Sequence, residues 1–396
     1  MAAFQPKHSK GGSDKKLPKK GVFRRKDGQM TKKCKKSYRA TELPSYSVSL
    51  DESPEERWRH VFSRDDAGVL RRLISAMWAS FEDTRGQSRE EKLAFAERLL
   101  AAVAEDLEET GAGYIVGEMR GVAKLLGVET CELLLLHLSY ESLMGCTSAL
   151  LADSEGCVRL ARTLDWDILP LKALSIHVDF YRGGRLAWQA TSFKGYCGCL
   201  TGMRSFPEPY AAAVNWRGSA DEETERGEKE ENGDKGGKEG EENGEGNLSS
   251  QWPIGFFVRH ALQERCDSYG AFVELLAATP LMAPCYVVVA GSRNGEGAVL
   301  TKDEGRAGLH AWRQQARVGA VVVQANVDSA TVWEHYDITG SIERCRFVRE
   351  HTNPLAPDKQ VLEVLLRSPV CDDDTLSITI ACPRMDRYRD YVPVRR

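Results

Sequence analysis

The chain has 396 residues, of which 42% are hydrophobic and 28% charged, so it can bury one large core or two modest ones. Its net charge of −4 is the sum of two opposite blocks and by itself argues neither for nor against a nucleic-acid partner. No apolar run approaches the roughly 20 residues of a transmembrane helix, and the first residues lack the apolar segment of a secretory signal. The composition therefore predicts a globular protein that is not secreted.

The first residues are strongly basic. Residues 1–39 contain 14 Lys or Arg against Asp14 and Asp27, with almost no large apolar side chains. Such a composition predicts a disordered basic leader over residues 1–44. It is interpreted as a solvated tail rather than a nucleic-acid, anionic-lipid or targeting segment, and no nucleic-acid partner is expected.

Residues 45–145 have a helical pattern, because apolar side chains recur at spacings of three and four. The last predicted helix runs from Thr130 to Met144. Its apolar residues, Leu133 to Leu136, Leu143 and Met144, are interpreted as core. The alternatives are an acyl channel and a peripheral membrane contact.

Residues 146–396 are predicted to form strands interrupted by two helical segments, Ile254 to Leu276 and Leu355 to Leu366. An acidic, glycine-rich stretch at about 219–249 is predicted to be a disordered insertion, since residues 221–247 hold 12 Asp or Glu and no aromatic residue. Gly291 to Gly297 is interpreted as a hairpin turn rather than a phosphate loop. The predicted strands are Val158–Thr163, Leu174–Tyr181, Leu186–Thr191, Tyr210–Asn215, Cys285–Ala290, Ala298–Thr301, Val318–Gln324 and Leu376–Cys382.

The eleven cysteines are an odd number scattered along a chain too long to need disulfides, so they are interpreted mostly as free thiols. Cys197 and Cys199 have the wrong spacing for a zinc knuckle, and no pair of histidines completes a site. No metal and no cofactor are expected.

Cys146 stands where the helical pattern gives way to a strand. Arg162 and Asp165 follow at the end of the next strand, and a hairpin would return both to the neighbourhood of the thiol. If the bond between Gly145 and Cys146 is cut, the freed α-amine becomes a base attached to the nucleophile. Without that context Cys146 is an ordinary buried cysteine, and Arg162 with Asp165 a structural ion pair.

Four blocks in this order resemble a known family, that of N-acylethanolamine acid amidase and acid ceramidase, which are N-terminal-nucleophile cysteine hydrolases related to the choloylglycine hydrolases. The likeness runs from about Ser45 to the C-terminus. The blocks are Pro44 to Trp58; Cys146-Thr-Ser148 with Asp153-Ser-Glu-Gly156 and Arg162-Thr-Leu-Asp-Trp166; Thr191 to Gly202; and Thr279 to Gly291.

The resemblance implies an α+β protein with a four-layer αββα fold, preceded by a helical α-chain segment over residues 45–145. Residues 146–396 would then be the catalytic domain. Self-cleavage between Gly145 and Cys146 would leave α and β fragments that remain associated, and the substrate would be a fatty-acyl amide lipid.

The same resemblance implies the roles of the site residues. Cys146 would be the nucleophile and its α-amine the base, with Arg162 and Asp165 aligning them. Asn326 would donate an amide hydrogen to the oxyanion, and Arg344 would be a later active-site arginine. The family's acidic residue is replaced by Trp216, so Asn215 is the candidate that compensates with its amide.

The resemblance favours an N-acylethanolamine over ceramide because few residues follow Asp165 before the next strand. Thr163 stands where the family has Asn, and Cys345 where it has Arg. A catalytically silent lipid-binding or interaction protein is the first alternative, and an acylase for bile-salt-like or penicillin-like amides the second. The family implies an acidic, lysosomal compartment, whereas the basic leader is compatible with the cytoplasm.

Overall fold

The structure is a computed structural model, and it describes most of the chain between Ser37 and Arg396. The predicted acidic insertion and the basic residues before 37 lie outside the described residues, as do Leu143 and Met144. The described ranges are 37–82, 89–139, 145–218, 251–309, 311–314, 317–328 and 340–396.

Among the described residues, four α-helices occupy the first part of the chain. In α3, Gly121 allows a close approach to the segment that precedes α1, because a Cβ at this position would lie only 2.0 Å from the carbonyl oxygen of Glu55. Leu133, Leu134 and Leu136 are buried in α4, as the core interpretation of the leucine run requires. The helices are α1 Arg64–Glu82, α2 Arg89–Glu109, α3 Tyr114–Leu126 and α4 Thr130–Leu138.

Among the described residues, one sheet has six strands in the order β1-β14-β13-β4-β3-β12. Every neighbouring pair in it is antiparallel, and β3 and β4 form the hairpin that the sequence predicted after Cys146. The first of the described strands thus pairs with the last of them. The strands are β1 Tyr38–Glu42, β3 Gly145–Ala152, β4 Val158–Asp165, β12 Val321–Gln324, β13 Thr375–Cys382 and β14 Arg387–Arg395.

Over the part of the chain that the structure describes, the second sheet has eight strands in the order β11-β10-β9-β8-β7-β6-β5-β2. Its neighbours are antiparallel except for β2 and β5, which pair in parallel. The strands are β2 Ser45–Ser49, β5 Ser175–Arg182, β6 Arg185–Phe193, β7 Thr201–Arg204, β8 Tyr210–Trp216, β9 Cys285–Gly291, β10 Gly297–Lys302 and β11 Ala311–Gln314.

Three buried apolar clusters define four layers. One fills the space between the two sheets and includes Leu150, Leu160 and Val288. A second lies between the six-stranded sheet and α8 and α9, and the third covers the eight-stranded sheet with the helices of the first part and with α6 and α7. The predicted α+β class and the αββα layering are confirmed. The remaining helices are α5 Leu169–Leu174, α6 Ile254–His260, α7 Tyr269–Ala278, α8 Ser341–His351 and α9 Asp358–Leu365.

Several predicted boundaries are wrong. The basic leader was expected to extend to residue 44, but Tyr38–Glu42 already form β1 against β14, and Ser45–Ser49 form a strand rather than a helix. Both strands are short, and they are held by partners far along the chain. A local pattern therefore cannot reveal them. In the described helices no segment is long and apolar enough to cross a bilayer.

Candidate active site

Cys146 is the second residue of β3, and its side chain is completely buried. The antiparallel register places Gly145 opposite Asp165 and Ser148 opposite Arg162. Because side chains alternate across a strand, Cys146 and Arg162 face the eight-stranded sheet, while Gly145 and Asp165 face the other side. The hairpin therefore brings both predicted partners to the start of β3, on opposite faces.

Arg162 lies directly beside the thiol. Its Nη2 is 3.2 Å from the Cys146 Sγ. The same guanidinium crosses the space between the sheets, where it donates to the hydroxyl of Thr201 and to the carbonyl of Val214. Only 1% of Arg162 is exposed, so its positive charge acts in a dry setting where electrostatic interactions are strong.

Asp165 lies beside the peptide bond that precedes Cys146. A Cβ on Gly145 would lie 3.1 Å from the Asp165 Cβ, so the missing side chain makes room for this carboxyl group. Thr375 donates to one carboxyl oxygen at 2.7 Å, and Arg344 Nη1 donates to the other at 3.0 Å. Burial raises the pKa of Asp165 to about 7, although the nearby Arg344 opposes this change.

Arg344 is in α8, a helix that the sequence did not predict, and it is 95% buried. Besides Asp165, its guanidinium donates to the Thr147 hydroxyl at 2.9 Å and to the Asn326 Oδ1 at 2.8 Å. The arginine thus joins the carboxyl group beside Gly145 to the amide group beside Cys146. The family resemblance had pointed to Arg344 as an active-site arginine.

Asn326 follows β12, which pairs with β3. Its Oδ1 accepts the backbone N–H of Cys146 at 2.8 Å, and its Nδ2 donates to the carbonyl of Trp216 at 2.9 Å. Two donors therefore meet at Oδ1, the Cys146 N–H and Arg344. In the uncleaved chain Asn326 holds the nitrogen of the bond whose cleavage the sequence predicted.

Asn215 lies deeper along the same side of β3. Its Oδ1 accepts a hydrogen bond from the Ser148 hydroxyl at 2.8 Å, and its Nδ2 donates to the carbonyl of Gln324 at 2.9 Å. These contacts tie β8 to β3 and β12. The structure therefore places Asn215 beside Ser148, one step along the strand face from Cys146.

A clamp formed by Arg217, Asp328 and Tyr286 holds the loop that carries Asn326. Arg217 donates from Nε and Nη2 to the Asp328 Oδ2 at 3.0 and 2.7 Å, and the Tyr286 hydroxyl donates to Oδ1 at 2.8 Å. The backbone N–H of Gly218 donates to the Asn326 carbonyl at 2.8 Å. This clamp fixes Asn326 from both sides.

The sequence reasoning missed this clamp and the hydroxyl groups of Thr147, Thr201, Ser341 and Thr375. Ser341 carries no charge and belongs to no recognisable sequence motif, yet its Oγ accepts the Asn326 N–H at 3.1 Å. A single serine or threonine does not produce a periodic pattern in the sequence that would indicate its position in the site. The pair Arg217 and Asp328 becomes visible only when the register of β8 and the loop after β12 are known. Within the described ranges, no three His, Cys, Asp or Glu side chains gather as potential metal ligands.

Two facing sheets covered by helices, with a cysteine at the start of a central strand and an arginine at its sulfur, are the arrangement that the resemblance to N-terminal-nucleophile hydrolases implies. Comparison with known proteins points to the same relatives. Rat acid ceramidase is 27% identical over 393 residues, 91% of each chain, and human acid ceramidase is 28% identical over 328 residues, 77% of this chain and 76% of the human one.

An N-acylethanolamine-hydrolyzing acid amidase of Caenorhabditis elegans is 26% identical over 357 residues, 87% of this chain and 91% of the nematode protein. The chain is thus a homologue of the acid ceramidases and the N-acylethanolamine-hydrolyzing acid amidases. No family model matches it. A solved structure of the Caenorhabditis elegans amidase ortholog aligns with a TM-score of 0.45 at 25% identity, covering 60% of this chain and 93% of the other.

Proposed function

We propose that this protein is an amidase that hydrolyses fatty-acyl amides with Cys146 as its nucleophile, after cutting its own chain before that residue. Its relatives are named for ceramide and for N-acylethanolamines, both amides of fatty acids, and an amide-bond hydrolase is the enzyme type that these names share. The observation that carries the proposal is the contact between the Arg162 guanidinium and the Cys146 sulfur at 3.2 Å.

The first reaction is cleavage of the chain. The Cys146 sulfur attacks the carbonyl carbon of Gly145, the C–N bond breaks, and the nitrogen takes up the proton that the thiol gives away. Asn326 supports this step because it already holds the Cys146 N–H. Water then hydrolyses the resulting thioester, which leaves a carboxylate on Gly145 and a free thiol and amine on Cys146.

The second reaction is substrate hydrolysis. The freed amine accepts the thiol proton, and the sulfur attacks the fatty-acyl carbonyl while Arg162 supplies positive charge next to it. We assign the second N–H of Asn326, beyond the one given to Trp216, to the oxyanion. The amine of the substrate leaves with a proton, and water releases the fatty acid from the thioester.

The two fragments are proposed to stay together after cleavage. Residues before 145 supply β1 to one sheet and β2 to the other, so each sheet contains strands from both fragments. Glu118 of α3 also binds Arg259 of α6 at 2.8 Å, with both side chains fully buried. Both fragments should elute together from a gel-filtration column without denaturant, and separate elution would refute the association.

The proposal is tested by measuring mass and turnover on one preparation. After incubation at acid pH, the intact protein should give two fragments that meet between Gly145 and Cys146 and whose masses sum to the chain plus one water. The same sample should hydrolyse a fluorogenic fatty-acyl amide. Cys146→Ala should abolish both, whereas Cys266→Ala, at another buried cysteine, should abolish neither.

An uncleaved wild-type chain without turnover on amides of ethanolamine or a sphingoid base would reject the enzyme and favour a silent lipid-binding member of the family. Turnover that survives Cys146→Ala would move the activity to another residue. Comparing the two amides also decides which substrate class is preferred.

A further inference from the structure

Cys157 and Cys382 form a second cysteine site, at the opposite end of β4 from Asp165. Their sulfur atoms are 3.5 Å apart, and both residues are buried, with 3% and 1% exposure. A disulfide bond requires sulfur atoms about 2.05 Å apart, so the gap that remains is about 1.5 Å. Rotation of the side chains can close a gap of this size without moving the strands.

The backbone on both sides of this pair is fixed. The Asp153 side chain accepts the N–H of Cys157 at 2.9 Å, and the Asp153 N–H donates to the Cys157 carbonyl at 3.0 Å. Cys382 ends β13, where it pairs with Arg387 of β14. Since β13 is also the direct neighbour of β4, the two thiols are held close by the sheet.

Both cysteines line a surface pocket of about 400 Å³. The charged side chains that line this pocket are four cations and two anions, Asp153 and Asp358. The pocket lining therefore favours an anionic ligand. A small molecule that enters this pocket therefore comes next to the two cysteine residues. The four cations are Arg159, Lys359, Arg387 and Arg389.

We propose that Cys157 and Cys382 are a dithiol site that is oxidised to a disulfide by an anionic low-molecular-weight disulfide entering this pocket. The inference does not depend on the amidase function. Cys157 lies five residues before Arg162 along β4, and the bond would tie β4 to the corner between β13 and β14 rather than touch the Cys146 region.

The exchange proceeds in two balanced steps. One cysteine loses its proton, and its thiolate attacks a sulfur of the oxidant, whose S–S bond breaks to release one thiol and leave a mixed disulfide. The second cysteine, also deprotonated, attacks the protein sulfur of that mixed disulfide and releases the second thiol. The protein loses two protons and two electrons, and the oxidant becomes two thiols.

The exchange should be slow at neutral pH. Burial and the neighbouring Cys382 raise the pKa of Cys157 to about 12, so little of it is thiolate near pH 7. Oxidation at pH 8.5 should therefore go further than oxidation at pH 6.5 in the same time.

The test oxidises the full-length folded protein with glutathione disulfide, removes the reagent, unfolds the protein and alkylates the remaining thiols. We expect two alkylations fewer than in the untreated protein, and a proteolytic peptide pair joining Cys157 to Cys382. The oxidised protein should also melt about 5 °C or more above the reduced one, because the crosslink restricts the unfolded chain.

Cys157→Ser and Cys382→Ser should each remove the linked peptide pair, whereas Cys266→Ser should keep it. Full alkylation of both cysteines after oxidation, or a crosslink that maps to another pair, would overturn the proposal. A mixed disulfide with glutathione that never resolves would also overturn it. The peptide map of the wild-type protein decides the matter even if a variant fails to fold.

Discussion

Two buried carboxyl groups of this protein are used in opposite ways. Glu118 in α3 is fully buried and receives three donors, namely Arg57 at 3.0 Å, Arg259 at 2.8 Å and the indole of Trp58 at 2.7 Å. Asp165 at the end of β4 is also buried, and its ion-pair partner among the described residues is the guanidinium of Arg344, at 3.0 Å. Glu118 thus forms direct ion pairs with two guanidinium groups, whereas Asp165 forms one with Arg344.

The difference separates a structural role for Glu118 from the reactive role proposed for Asp165. Glu118 joins the segment before α1 to α6, so its charge connects parts of the chain on both sides of the proposed cleavage site. Asp165 lies beside Gly145, and its pKa is raised to about 7 because burial outweighs the effect of Arg344. A carboxyl group that can gain or lose a proton near neutral pH is better suited to a role in a reaction than to a role in a structural ion pair.

The largest expected effect is on stability. Glu118→Gln leaves Arg57 and Arg259 buried without their carboxylate, and breaking such a buried ion pair typically costs about 3–5 kcal/mol. Denaturant unfolding should show this loss, while amide hydrolysis by the folded fraction changes little. Glu350→Gln, at an exposed position of α8, is the control and should leave the unfolding midpoint unchanged. Equal midpoints for both variants would contradict the structural role.

The next largest expected effect is on the rate of amide hydrolysis. Asp165→Asn keeps the size of the side chain but presents an NH2 group where Arg344 or Thr375 donates, which should misalign the site. We expect turnover of the cleaved protein to fall on the order of a hundredfold, with a smaller change in KM. Asp167→Asn, at an exposed aspartate two residues further on, should hydrolyse the substrate at the wild-type rate. A loss of less than threefold for Asp165→Asn would remove this residue from the site.

The pH dependence of stability provides a third test, which is best performed with Cys146→Ala so that the chain stays uncleaved. The folded pKa of Asp165, about 7, lies above its unfolded value of about 4. Between these values the folded state binds more protons, so the stability from this group is complete below pH 4 and is lost as pH rises towards 7.

Relative to Cys146→Ala with Asp165→Asn, the Cys146→Ala protein should therefore lose stability over this window, by at most about 1.4 kcal/mol for each pH unit. Thermal melts of both proteins at several pH values measure the difference. A constant difference from pH 4 to pH 7 would contradict the raised pKa.

The smallest effect is expected at the clamp around Asn326. Asp328→Asn weakens the contacts with Arg217 and Tyr286, and because Asp328 is partly exposed we expect turnover to fall only severalfold. Asp303→Asn is a matched control, since Asp303 also binds Arg217, at 2.6 Å, but lies on a different segment from Asn326. Equal losses in both variants would mean that Arg217 acts through general stability instead of through the loop.

Much of the site could be predicted from the sequence because its central part is a hairpin. The turn at Ser154 to Gly156 and the alternation on both sides predicted that β4 returns Arg162 and Asp165 to Cys146. The face on which each side chain lies could not be predicted, because a shift of one residue in register exchanges the faces. Only the paired strands show that Arg162 reaches the sulfur while Asp165 lies beside Gly145.

The class of the fold could be predicted from the sequence, but not every helix and strand in it could. α8 escaped prediction because its sequence is rich in charges, including Glu343, Arg346, Arg349 and Glu350, and its buried face is narrow. Arg344 belongs to that face, and its burial depends on partners from β4 and from the loop after β12. Such contacts follow from the tertiary arrangement, and the local pattern of apolar and polar residues does not reveal them.

The pairing of β1 with β14 has a consequence for biosynthesis. Tyr38 lies opposite Arg395, so the six-stranded sheet is completed only after β14 has left the ribosome, long after β1. Until then β1 has no hydrogen-bonding partner, and contacts of such long sequence separation form slowly. Nascent chains should therefore expose an open sheet edge until β14 has emerged, and premature termination before β14 should yield aggregating products.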